Sequence, residues 1–243
     1  MTFRTSFALA LLTVVATASP ALAKEKNPTE VRAISQEYAD CVVQKKPELA
    51  REAILSNANN DQIAKQYKRL IIGGCLVKAN DGRGARMAFG GDLYRYALAG
   101  ALIRMDLQDH VPRSFADVPK LIHLPVKISD PDLMQRTDRK GRRHQDSVAR
   151  SKSVRALSLY GECVVRSDPQ NSYDLAMSKV GSAEEAESFK KLQPAFGPCL
   201  NNEGEVAFNK SALRGLVSVN YYRLAMAMQQ ANMTDATALE VTQ

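Results

Sequence analysis

Four cysteines, Cys41, Cys75, Cys163 and Cys199, are the residues whose type and spacing speak first to chemistry. They are too far apart for a zinc cluster, which needs closely spaced thiolates and histidine partners. The three histidines, His110, His123 and His144, fall elsewhere. No C-x-x-C is present, which argues against a thioredoxin-like redox pair, and no C-x-x-C-H, which excludes covalent c-type haem. What remains is oxidation to disulfides. Four cysteines allow three pairings. Cys41–Cys75 with Cys163–Cys199 is the favoured set, each bond closing a loop of about 35 residues and stabilising by about 3–4 kcal/mol in the chain-entropy account. Cys41–Cys163 with Cys75–Cys199 is the alternative that two-fold symmetry also permits.

Other chemistry-bearing residues form no constellation. Ser188-Phe189-Lys190-Lys191 matches S-x-x-K and Ser218-Val219-Asn220 matches S-x-N, but K-T-G is missing and the order gives no support to an acyl-serine enzyme. Asp130-Pro131-Asp132 lacks the rest of a calcium loop. Glu184, Glu185 and Glu187 are the densest carboxylates, and they read as the exposed first turn of a helix capped by Ser182. Arg95 and Arg104, like Arg214 and Arg223, stand at a spacing that puts them on opposite faces of a helix, so neither pair makes a single clamp. One member of each pair is expected to lie along the core or to bridge the halves. Arg136, Arg139, Lys140, Arg142 and Arg143 form a basic cluster, read as a candidate contact for anions against the simpler account of a solvated linker. No residue is assigned as catalytic, cofactor-binding or metal-binding, and no cofactor is expected.

The elements that must position these residues are repeated. Tyr38-Ala39-Asp40-Cys41-Val42-Val43-Gln44, followed by Pro47, recurs as Tyr160-Gly161-Glu162-Cys163-Val164-Val165-Arg166, followed by Pro169. Tyr67-Lys68-Arg69-Leu70 before Cys75 matches Phe189-Lys190-Lys191-Leu192 before Cys199. Ala88-Phe89, Asp92, Arg95 and Arg104 match Ala207-Phe208, Ser211, Arg214 and Arg223. Three blocks in one order imply an old duplication. A period of about 120 residues is too long for a solenoid.

Each copy reads as helix. Val31, Ile34, Tyr38, Cys41 and Val42 form an apolar stripe that starts near Pro28-Thr29. Tyr38 and Tyr160 sit on the stripe as core aromatics beside the cysteines. Asp40 and Glu162 point off it, solvated or paired with a neighbouring base. One helix is expected from Asp61 through about Leu76, one from Asp92, and one from near Ser211. Pro194 and Pro198 are expected to end the helix before Cys199 early. Asn80–Gly84 and Asn201–Gly204 read as matching loops. Pro119 to Ile128 could hold a short extended segment.

The predicted architecture is therefore all-α and internally duplicated, with about four helices per copy and one disulfide in each. Residues 1–23 read as a cleavable signal: Arg4, then an apolar stretch from Phe7 to Ala16, then Ala21-Leu22-Ala23 before the cut. Residues 24–105 are repeat one. Residues 106–147 are a connector, proline-containing and then basic and mobile from about Met134. Residues 148–243 are repeat two, with a flexible tail expected from about 232. No later run of about 18 apolar residues suggests a transmembrane segment.

Composition bounds the rest. The apolar share of 45% and charged share of 24% are ordinary for a globular chain. The net charge is +7, or about +6 without Arg4, which favours anionic partners: a membrane surface, an envelope polymer or an acidic protein. Nucleic acid is not expected, since no aromatic–basic motif is present. The sequence points to an exported, periplasmic or secreted, non-catalytic helical protein with a binding or assembly role. The alternative is a hydrolase-like periplasmic enzyme with an asymmetric site in the central region or in repeat two.

Overall fold

The computed structural model describes residues 27–82, 92–108, 112, 114–200 and 209–241, the last with side chains to residue 233. The signal segment, Ala88, Phe89, His110, Val111, Ala207, Phe208, and the loop residues 83–84 and 201–204 lie outside the described residues.

All regular structure among the described residues is helical. Helix α1 spans Pro28–Lys45, α2 Pro47–Leu55, α3 Asn60–Gln66, α4 Gly73–Ala79 and α5 Leu93–Asp106. Helix α6 spans Pro131–Gln135, α7 Arg139–Ser167, α8 Pro169–Met177, α9 Ala183–Cys199 and α10 Lys210–Val241. Both disulfides join residues of one half: Cys41–Cys75 with Cα atoms 5.6 Å apart and Cys163–Cys199 at 5.7 Å.

Helix starts follow local chemistry with some displaced caps. Asn27, not Thr29, caps α1 by accepting the Glu30 N–H, and Pro28 is the first helical residue, where its missing N–H costs nothing. Pro47 and Pro169 each open the next helix, so the chain bends at Lys46 and at Asp168. Helix α10 is opened by Asn209, which accepts the Ala212 N–H at 2.8 Å, rather than by Ser211. Asp92 does not cap its own helix. Its carboxylate accepts the Asn60 N–H at 3.1 Å, while the Asn60 side chain accepts the Arg95 N–H at 2.9 Å. Two helix ends thus satisfy each other across the fold.

Three expected elements differ. The helix from Asp61 to about Leu76 is broken into α3, a 3-10 turn at Lys68–Leu70, and α4. Gly73 and Gly74 weaken helix propagation there. The Tyr38 hydroxyl accepts the Ile72 N–H at 3.2 Å, which redirects the chain so that Leu70 and Cys75 both face the core. Conversely, α9 runs through Pro194 and Pro198 as far as Cys199. Leu192, Ala195 and Cys199 are buried on one face, and this burial with the disulfide outweighs the ladder bonds that two prolines delete. The basic run is no loop: Asp138 accepts the Gly141 N–H at 2.8 Å, and Arg139–Ser167 is one helix about 43 Å long that continues into the Tyr160–Pro169 block.

Helices α5 and α10 cross at the centre and carry the core. Helix α5 packs on α1 and α2, and α10 packs on α7 and α8. The partnership is also exchanged, α5 meeting α8 and α10 meeting α2. Corresponding elements of the two halves therefore make corresponding contacts. Buried residues of both halves form one continuous cluster, from Tyr38, Val42, Ile54 and Leu98 to Val164, Leu175, Tyr221 and Leu224. Asp106 ties the halves further. It accepts the Tyr222 hydroxyl at 2.7 Å and Arg51 at 2.6 and 2.9 Å.

The crossing depends on a missing side chain. A Cβ on Gly215 would fall 2.2 Å from Cγ of Tyr96 and 2.3 Å from its Cβ, an atom that no rotamer change can move. A Cβ on Gly100 would meet only the Arg104 Nη1 at 3.4 Å and the Ser218 Oγ at 3.7 Å. Substituting the two glycines should therefore act in opposite directions. Gly215→Ala is expected to lower the unfolding free energy by about 2 kcal/mol through overpacking. Gly100→Ala is expected to be neutral or to raise it by about 0.5–1 kcal/mol. Urea titrations of both variants check the pair.

Candidate functional site

Where the two halves meet, a cavity of about 620 Å³ opens. Helix α1 contributes Pro28, Val31 and Arg32, and α5 contributes Leu93, Tyr96, Ala97 and Arg104. From the other half come Val180, Lys210, Arg214 and Ser218. Most of its wall is apolar, and among the described residues the charged groups that line it are all cationic.

The arginines are placed by tertiary bonds. Arg104 donates to Asp40 through Nε at 3.1 Å and Nη2 at 2.6 Å, and through Nη1 to the Ala176 carbonyl at 3.2 Å. Arg214, only 10% exposed, donates to the same Ala176 carbonyl at 3.1 Å, to the Ser178 carbonyl at 2.5 Å and to Glu185 at 2.9 Å. Two guanidiniums, one from each half, thus receive the carbonyl end of α8, where the helix dipole is negative. Arg32 donates to Glu185 as well, on the same Oε1 that Arg214 uses. It makes no other side-chain bond among the described residues.

Burial and like charge act together here. Burial lowers the Arg214 pKa, and Arg104 and Arg32 press it further against the opposing pull of Glu185, to about 10. Burial works to raise the Glu185 carboxyl, but the Gly181 N–H and the guanidiniums of Arg214 and Arg32 outweigh it and hold the group below its ordinary range. Glu185 is thus a buried ion-pair partner, 3% exposed, and not part of an exposed first turn. Glu184 and Glu187 are exposed, and Ser182 caps α9 by accepting the Glu185 N–H.

A second polar cluster secures the chain between the halves. From Lys120 to Asp130 that chain forms neither helix nor strand and lies as a strap along α7. Lys127 N–H donates to Ser151 at 2.9 Å and Asp130 N–H to His144 Nε2 at 3.0 Å. The strap is fastened at Glu162, which is buried and paired with the neighbouring Arg166, the second of the two expected outcomes. Glu162 accepts the Leu121 N–H at 3.1 Å, His123 Nε2 at 2.6 Å and Arg166 Nε at 2.8 Å. Arg166 also donates to the carbonyls of Phe115, Val118 and Pro119. Burial works to raise the Glu162 carboxyl, but His123, Leu121 and Arg166 reverse this and hold it at about 2. A second cavity, of about 660 Å³, lies beside the strap, but its one arginine, Arg223, already donates to the Ile122 carbonyl at 2.8 Å.

The other sequence candidates are dispersed. Arg136, Arg139, Lys140, Arg142 and Arg143 are all exposed at the start of α7 and just before it. Arg136 pairs with Asp138, and Arg142 donates to the Thr137 carbonyl. None of the five lines the seam cavity. Asp130 caps α6 by accepting the Asp132 and Leu133 N–H groups. Among the described residues no group of three or more His, Cys, Asp or Glu is placed to hold a metal. Ser218 lines the cavity, but its hydroxyl donates to the Arg214 carbonyl at 2.9 Å, and Asn220 donates to the Leu216 carbonyl. Tyr38 and Tyr160 are buried core residues, and the Tyr38 ring lies tilted against Tyr94 with centroids 5.7 Å apart.

Sequence reasoning missed Arg32, Glu185 and Gly215 as site residues. Each breaks the repeat: Arg32 stands where copy two has Val154, Glu185 where copy one has Ile63, and Gly215 where copy one has Tyr96. Departure from internal symmetry was the available signal.

The Glu162 cluster has a pH consequence. Its folded pKa of about 2 lies below the ordinary 4.5, so its stabilisation is full above about pH 5 and is lost as pH falls toward 2. Glu162→Gln is expected to flatten that acid slope and to lower stability at pH 7 by on the order of 3 kcal/mol. Urea midpoints from pH 7 to pH 3 measure both, and an unchanged slope would contradict the account.

Comparison with protein families, with curated proteins and with solved structures finds no match to this chain.

Proposed function

We propose that this is an exported, non-catalytic helical binding protein, built by duplication, whose ligand enters the cavity between the two halves. The observation that carries the reading is the seam cavity itself. Its volume is that of a small-molecule site, its walls are apolar, and a few polar groups converge on it. Its guanidiniums are held by partners behind the wall rather than by one another in a proton-transfer pair. Two disulfides fit an oxidising compartment, and among the described residues no helix is long and apolar enough to cross a membrane. The apolar stretch ending at Ala21-Leu22-Ala23 supports export, and the matched order and contacts of the two halves support duplication. The basic start of α7 is a separate surface on which an anionic envelope component could be recognised.

Two measurements test the reading. The protein recovered from a periplasmic extract or culture medium should have an intact mass that begins at Lys24. Recovery of full-length chain from the cytosol alone would sink the export claim. For the cavity, the uncharged fluorophore N-phenyl-1-naphthylamine should brighten on adding protein. The response should vanish in Ala97→Trp, which places a ring in the cavity, while the thermal midpoint stays within a few degrees. A wild-type protein that leaves the fluorophore dark removes the seam as a ligand site.

A further inference from the structure

The imbalance of charge behind the seam carries a further step, which rests on the seam being the ligand site. Three guanidiniums, Arg32, Arg104 and Arg214, are met by two carboxylates, Asp40 and Glu185. Arg104 has Asp40 to itself. Arg214 has Glu185 and the carbonyl end of α8. Among the described residues Arg32 has only a share of Glu185 Oε1, so most of its N–H donors meet no acceptor there while the side chain is just 15% exposed. A cation held this far out of water, with an apolar wall beside it, is complemented by an anion that brings its own apolar body.

We infer that the seam cavity binds an amphiphilic monocarboxylate, its carboxylate on Arg32 and its apolar body against Val31, Leu93, Tyr96 and Val180. One excess charge matches a single carboxylate. The planar guanidinium offers paired N–H donors at the spacing of carboxylate oxygens. Lys210, exposed at the mouth, adds attraction on entry. The site is one-sided. Val154 and Ile63 occupy the positions that correspond to Arg32 and Glu185, so duplication supplied the cavity walls and later divergence its charge.

The test is displacement of N-phenyl-1-naphthylamine by dodecanoate and by dodecan-1-ol, both kept below self-association. The wild-type protein should respond to dodecanoate at a concentration lower by about tenfold or more, the scale of one charge-assisted hydrogen bond. Arg32→Leu leaves two guanidiniums against two carboxylates and should abolish the preference. Glu185→Gln leaves three against one and should enlarge it, which keeps the test open if Arg32→Leu fails to fold. Arg150→Leu removes the same formal charge from an exposed position on α7, outside the seam lining and the basic cluster, and should leave the preference intact. The preference should also fade below about pH 5, as the ligand carboxyl protonates. Equal displacement by acid and alcohol in wild type overturns the carboxylate assignment while the seam reading stands. A preference that survives Arg32→Leu overturns the role of Arg32. No fluorophore binding at all overturns the seam reading first.

Discussion

The close approach of α5 and α10 at Gly215 and Tyr96 is the constraint on which the rest of the structure depends. Because Gly215 has no side chain, the Tyr96 ring lies directly on the α10 backbone. That contact brings the halves near enough for Leu98, Leu102, Val217 and Tyr221 to share one core. It also fixes where the halves part. Residues of α1, of α5 and of the start of α10 line the cavity that opens there. A larger residue at position 215 would not simply fill a hole. It would push apart the elements that define the hole.

Charge organises what packing leaves open. The carbonyl end of α8 is received by Arg104 from one half and Arg214 from the other, so a helix terminus serves as a joint between them. Arginine suits this role because one planar group can serve several acceptors at once. The carboxylates stand behind the wall, and the cations form part of it. Desolvation makes such an arrangement costly for an isolated charge, which is why each guanidinium has at least one partner. Arg32 is the least satisfied of the three.

At the Glu162 cluster the same logic is used for structure alone. Glu162 and Asp40 occupy matching positions in the two halves. Asp40 holds Arg104 across the seam, whereas Glu162 is turned to the strap and is saturated by Leu121, His123 and Arg166. Of the two carboxylates at matching positions, one therefore holds a cavity arginine and the other fastens the connecting chain. The strap cannot follow the repeat because it has no counterpart, and its anchor is drawn from a repeated position.

Local sequence determined the helical class and the Ser182 cap, and favoured the separate disulfide of each half. These follow from apolar spacing, backbone chemistry and a short loop closure, all readable without knowing what lies across the fold. Sequence also led to the wrong end for α9, a continuous helix where α3 and α4 are separate, and a loose connector where α7 begins. There, burial of Leu192 and Cys199, the Tyr38 bond to Ile72, and the strap along α7 override local preference. The seam cavity and the pairing of Arg32 with Glu185 could come only from the tertiary structure. Their members lie on α1, α5, α9 and α10, and no spacing along the chain encodes a distance between helices set by one absent side chain at Gly215.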